Sequence, residues 1–216
     1  HASAVTPLSL HDALPNCRDS MFKPWWKKKI QNILEYTPVK QDWLYRSPYF
    51  FLKTIASLKE NYPEIGCRIS IEFVGRHPIW LKDMLEEFGL QDSFTSHGFI
   101  PKEKVNSIIN QFDIFLGTSE KIIDDDHYCL PSKLFDYIGL NKPILGFVTN
   151  GIQKDFIENS GLGIICNPDD IVESTQKIRD LVEHGKDFKP NTEYLKTFQR
   201  KKLTEQLSNI LYNIEN

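Results

Sequence analysis

The sequence predicts an α/β domain: a doubly wound, Rossmann-like parallel sheet of about six strands with helices on both faces. Three observations point there. From Ile30 onward, apolar β-rich runs alternate strictly with amphipathic ones. The strand-like runs ISIEFV (69–74) and PILGF (143–147) are dominated by apolar and β-branched residues, as strands covered on both faces must be. Pro48 and Pro131 stand where helices should start, and Gly89 and Gly161 where they should stop.

In chain order, the spacing predicts strands at 30–36, 69–74, 93–96, 113–117, 143–147 and 163–166. Helices fall between them at 48–61, 79–88, 102–111, 132–140, 152–159 and 169–184. Val105, Ile108, Ile109 and Phe112 show the three-and-four apolar spacing of a helix laid on a sheet. Alternation of this kind requires parallel strands joined by right-handed crossovers. A long final helix, 192–214, carries Tyr194, Leu195, Phe198, Leu203, Leu207 and Leu211, more apolar surface than one domain needs to cover its end. Residues 1–15 carry no periodicity, and LSLHDALP (8–15) resembles a translated sequencing adaptor, so the stretch is set aside as a non-native or disordered segment.

Composition narrows the classes. The 216 residues include 26 Lys or Arg and 29 Asp or Glu, a net charge of -3 that argues against a dedicated nucleic-acid binder. No apolar run approaches the roughly 18–20 residues that span a bilayer. Cys17, Cys67, Cys129 and Cys166 form no C-x-x-C pair, which favours a reducing, cytoplasmic compartment. His127 and Cys129 are two ligands without a second pair, so no metal is expected there.

In open parallel sheets, ligands bind beyond the carboxyl ends of the strands, at helix N-termini. The turn TPVK (37–40) lacks the glycines that bring backbone close to a pyrophosphate, and no P-loop occurs anywhere. The informative stretch is LPSKLFDYIGLNKPILGF (130–147). Pro131 pre-sets the first helical turn, so the following amides and the helix dipole make an anion site, with Ser132 and Lys133 adding a hydroxyl and a cation. Asp136 follows Lys133 by three residues, on the same face about one turn in, where a carboxylate can accept from the two hydroxyls of a ribose. A capped amphipathic helix with a surface ion pair accounts for the same spacing, and spacing alone leaves both open.

PSKLFDYIGLNKPIL resembles the donor-binding segment of glycosyltransferases of the GT-B architecture, glycosyl transferases group 1, where P-x-K-x-x-E-Y-x-x-x-x-K-P-I is common. The run 70–119 resembles their strand-V-G, "F-x-G-x-I-P" and "D-I-F-L" succession, and PNCRDSMFKP (15–24) their interdomain linker. Residues 157–163 read like the family's "I-x-x-x-G-x-G" helix stop. The resemblance runs from about Asn16 to the C-terminus. It divides the chain into a linker (16–29), a nucleotide-sugar-binding domain (30–190) and a C-terminal helix (191–216).

The resemblance implies the C-terminal half of a GT-B fold, binding a nucleoside diphosphate sugar (UDP-sugar in preference to GDP-sugar) and using no cofactor. It implies transfer of the sugar to an acceptor hydroxyl, with an acceptor-binding N-terminal domain absent and this chain inactive alone. Asp136 then matches the ribose carboxylate, one methylene short, and Ser132, Lys133 and Leu134 match the residues whose amides hold the diphosphate. Arg46 matches the basic residue that neutralises the leaving phosphates, and Lys40 a second one. Phe99 and Ile100 match the loop that pockets the base. Family members often place a sugar-contacting glutamate eight positions before the ribose carboxylate; here Tyr128 stands there, after an acidic run (124–126) that could take over the contact. Trp25, Trp26 and Lys27–Lys29 resemble an interfacial anchor for the cytoplasmic face of a membrane, and equally a linker that packs its aromatics against the domain and ends in a charged strand edge; both readings stay open. Two rivals stay open: a nucleotide-sugar epimerase of related architecture, and a non-catalytic binding module.

Overall fold

The computed structural model describes residues 2–6, 40–76 and 78–215. Among them, a six-stranded sheet takes the order β4–β3–β1–β5–β7–β8 and every pairing in it is parallel. The strands are β1 (Ala2–Thr6), β3 (Ile69–Phe73), β4 (Phe94–Ser96), β5 (Ile114–Thr118), β7 (Ile144–Phe147) and β8 (Gly163–Cys166). Two short strands, β2 (Gln41–Asp42) and β6 (Lys121–Ile122), pair antiparallel beside it. The helices are α1 (Tyr49–Asn61), α2 (Pro63–Gly66), α3 (Ile79–Glu87), α4 (Lys102–Ile109), α5 (Ser132–Gly139), α6 (Ile152–Asn159), α7 (Ile171–His184), α8 (Thr192–Lys196) and α9 (Arg200–Glu215).

Alternation along the strands builds two cores. On β5, Ile114 and Leu116 join Phe51, Leu52, Ile55 and Leu58 of α1, Trp80 and Met84 of α3, and Ile178 of α7. Phe115 between them points the other way, into Leu134 and Tyr137 of α5 and Phe156 and Ile157 of α6. β7 divides likewise, Leu145 to the first core and Ile144 to the second. A period of two under helices on both faces leaves β5 and β7 no wet side, hence their apolar composition. Phe51 of α1 meets Phe147 of β7 edge-on at 5.8 Å between centroids, locking helix to sheet.

Two departures from expectation concern the ends. Ala2–Thr6, set aside on sequence grounds, pairs with both β3 and β5 in the middle of the sheet. Five small or short side chains carry too little pattern to be told from loop. The expected strand at 30–36, the linker (16–29) and the Trp25–Lys29 segment lie outside the described residues. The final helix is two helices. Thr197 Oγ1 donates to the Tyr194 carbonyl at 2.6 Å, and Phe198 turns its ring against Phe156 at 4.9 Å. A side-chain bond competing with the helical ladder, and an aromatic ring held by the core, break the run there. Beyond the break every described side chain of α9 is exposed, Leu207, Ile210 and Leu211 among them, so the surplus apolar face is real.

Candidate functional site

The carboxyl end of β5 collects the chemistry. Its next residues, Ser119 and Glu120, are buried although polar. Asp42 caps a 3-10 helix, Trp43–Arg46, by accepting from the Leu44 amide at 2.9 Å. The β2–β6 pairing then carries the end of that helix to β5, where Thr118 Oγ1 donates to the Arg46 carbonyl at 2.7 Å. Arg46 Nη1 reaches Glu120 Oε2 at 3.2 Å, and its guanidinium lies 5.6 Å from the centre of the Trp43 ring. Tyr45, one residue earlier, is clasped from the far side: its hydroxyl donates to Asp169, whose other oxygen takes Lys121 Nζ at 2.6 Å. Burial, then the bond to Asp169, push the Tyr45 hydroxyl up from its ordinary pKa.

α5 begins over the same strand end. Pro131 at its cap has φ −65° and ψ 136°, the extended entry expected of the residue before a helix. Leu134 is 2% exposed and anchors the first turn in the second core, close above Gly117 of β5. That anchoring turns Ser132 and Asp136 to the surface and leaves Lys133 half-buried. The Ser132 and Lys133 amides come before the helical ladder begins. The Leu134 amide, expected to face a diphosphate, instead bonds the Pro131 carbonyl at 3.2 Å. The structure thus brings Arg46 and the start of α5 to one strand end.

The other expected residues lie around them. Phe99 is 67% exposed in the loop after β4, with the Arg76 guanidinium 5.9 Å from its ring, while Ile100 packs half-buried into the α5–α6 core. Lys40 is exposed, and its carbonyl accepts from Ile123 in continuation of the β2–β6 pairing. Tyr128 is exposed beside a stacked His127 ring, 6.4 Å between centroids. Cys129 is exposed and His127 buried. A cleft of about 810 Å³ opens alongside, lined by Lys121, Thr149, Asn150, Lys154, Asp169 and Lys177 among others; it takes in Asp125 and Asp126 of the acidic run. Its polar walls include Val148, Thr149 and Asn150 just after β7 and Asn167 just after β8, so it too lies at the carboxyl ends of strands.

Sequence reasoning missed Glu120 and did not connect His127 to it. Glu120 Oε2 meets both Arg46 Nη1 and, at 3.3 Å, His127 Nε2, close enough to feel the carboxylate charge though not aligned as a hydrogen bond. The available signal was an ionisable residue directly after the apolar run IFLGTS. His127 is tied down by its backbone: its amide donates to Asn150 at 2.8 Å and its carbonyl accepts from Ile152 at 2.9 Å, across Gly151. Gly151 has φ 125° and ψ −170°, and a Cβ there would lie 2.0 Å from the His127 carbonyl oxygen. Gly151→Ala is expected to cost about 1–3 kcal/mol in backbone strain before that clash is counted, readable as a lowered urea midpoint.

Burial pushes the Glu120 carboxyl up, but His127 and the Arg46 charge outweigh it and hold the group below its ordinary value of 4.5. A carboxyl held low stabilises the fold fully above its unfolded pKa, and the gain is lost as pH falls through the folded one. Glu120→Gln should therefore shrink the fall in melting temperature between neutral pH and about pH 3. An unchanged acid limb would show that Glu120 is not held this way.

Fold and site together define an α/β domain with a helix start and an arginine at the carboxyl end of a parallel sheet. The chain belongs to the family described as glycosyl transferases group 1, whose model matches residues 44–184. No curated protein matches it. Its fold is similar to part of several solved GT-B glycosyltransferases. One is the pneumococcal O-GlcNAc transferase GtfA in complex with UDP and GlcNAc, at 18% identity and TM-score 0.50, covering 77% of this chain and 33% of that one. Another is Anabaena Alr3699/HepE in complex with UDP and glucose, at 12% identity and TM-score 0.54, covering 81% and 47%. A third is the apo form of the lipopolysaccharide outer core galactosyltransferase WaaB, at 11% identity and TM-score 0.54, covering 82% and 47%. The chain thus spans between a third and half the length of these structures. Among the described residues, no helix is long and apolar enough to cross a membrane.

Proposed function

We propose that this chain is the donor-binding, C-terminal half of a GT-B glycosyltransferase that transfers a sugar from a UDP-sugar to an acceptor hydroxyl. The observation that carries the reading is the convergence of Arg46 and the first turn of α5 on the end of β5. Family membership supplies the reaction class, and two similar structures hold UDP. In this reading the diphosphate rests against the Ser132 and Lys133 amides, with the helix dipole and the Lys133 and Arg46 cations offsetting its charge. Charge grows on the departing diphosphate as the glycosidic bond breaks, and fixed donors and cations lower the barrier most at that point. Asp136, exposed one turn in, takes the ribose hydroxyls, and Phe99 and Ile100 flank the base. Lys40 and Tyr128 border the site, and Leu134 serves it by packing rather than through its amide. The acceptor is bound by a second domain of the enzyme, whose dock includes the bare face of α9; the enzyme works in the cytoplasm, at a membrane face where Trp25 and Trp26 make contact.

Arg46→Ala tests this directly. It should weaken UDP binding by about 1.5–3 kcal/mol, the scale of a charged hydrogen bond, while leaving uridine binding nearly unaltered. Calorimetric titration of both ligands measures the two. Equal losses for UDP and uridine would remove Arg46 from the phosphates.

A further inference from the structure

Arg46 is restrained on one side. Its contact with Glu120 engages a single nitrogen, Nη1, and the planar fork has donors left for a second anion. Glu120, only 7% exposed, is a carboxylate that burial would make costly without partners. Arg46 is one partner. His127 is the other: the residue is 2% exposed, its Nε2 lies 3.3 Å from the same Oε2, and neither ring nitrogen has an aligned hydrogen-bond partner in the structure. Glu120 is the charged group that the structure places against this ring. The backbone beneath the ring is bonded to Asn150 and Ile152, on both sides of Gly151.

We propose that His127 is a positioning residue for diphosphate binding: its Nε2–H, brought into line across that 3.3 Å approach, bonds the Glu120 carboxylate so that Glu120 steers Arg46 without capturing it. The inference rests on the donor-binding reading above. Loss of the His127 donor acts twice in one direction. The carboxylate is less firmly placed, so Arg46 is less well aimed. The same carboxylate, left with Arg46 as its one neutralising partner, also competes harder with the diphosphate for the guanidinium.

The test is titration of UDP and of uridine against the whole chain. His127→Asn, too short to reach Glu120, should lose about three- to tenfold in UDP affinity and nothing in uridine affinity, the lower part of the range of coupling between contacting polar residues. His127→Gln, which can still present an N–H, should stay near wild type. In a Glu120→Gln background, His127→Asn should make no further difference. Should His127→Asn fail to fold, Glu120→Asp takes its place in the comparison, because it withdraws the carboxylate from the ring and keeps the charge. A folded His127→Asn with wild-type UDP affinity overturns the inference, as does an equal loss for both ligands or the same loss in the Glu120→Gln background. If Arg46→Ala itself spares UDP binding, the donor-binding reading fails and takes this inference with it. If Arg46→Ala weakens UDP binding and His127→Asn does not, the inference alone is wrong.

Discussion

Phe156→Ala is expected to remove about 3–5 kcal/mol of stability, a large part of what a domain of ordinary stability has to spare. The side chain is 0% exposed, and its ring sits among Phe198 at 4.9 Å, Phe135 at 5.1 Å and Tyr194 at 6.2 Å. These rings come from α5, α8 and the break after α8, so one side chain on α6 ties three segments together. Emptying that space loses both the transfer energy of the ring and the contacts of its neighbours, which a helix pinned on a sheet cannot close up to recover. Urea unfolding should show a lower midpoint with an unchanged slope. Because α5 also carries Ser132, Lys133 and Asp136, variants too mild to unfold the domain, such as Phe156→Leu, should still loosen nucleotide binding. A loss under about 1 kcal/mol for Phe156→Ala would mean that α8 and α5 are held by something else.

How far the sequence could be read depended on how much each element buries. β5 and β7 are covered on both faces, so IFLGT and ILGF are apolar end to end and stand out from the helices beside them. α1 and α7 pack as amphipathic helices, with buried residues at helical spacing, and were legible for the same reason. β2 and β6 have two residues each, too few for any period to show, yet their pairing carries Arg46 to β5. A single apolar pattern across 192–214 concealed the break, since Phe198 continues the stripe in sequence while its ring enters the core in space.

The site was legible where local chemistry makes it and hidden where the tertiary fold does. Pro131 followed by Ser132 and Lys133 announces a helix start, and Asp136 announces its carboxylate one turn later, because both facts are matters of spacing along one helix. Glu120 meets Arg46 across 74 positions, and no periodicity reports such a contact. Spacing likewise gave no hint that the His127 ring is buried against Glu120 while Cys129 faces outward.

The central claim is that α5 presents a nucleoside diphosphate site with Asp136 on the ribose, and one titration tests it most directly. Asp136 is exposed, so its removal leaves the core intact and a change in binding cannot be charged to unfolding. As a carboxylate it would accept from both vicinal hydroxyls, and a charged hydrogen bond of that kind is worth about 1.5–3 kcal/mol. Calorimetric titration of UDP into Asp136→Ala should therefore show a Kd raised roughly 10- to 150-fold over the unsubstituted chain, with the melting temperature preserved. An unaltered Kd in a folded Asp136→Ala chain would contradict the account.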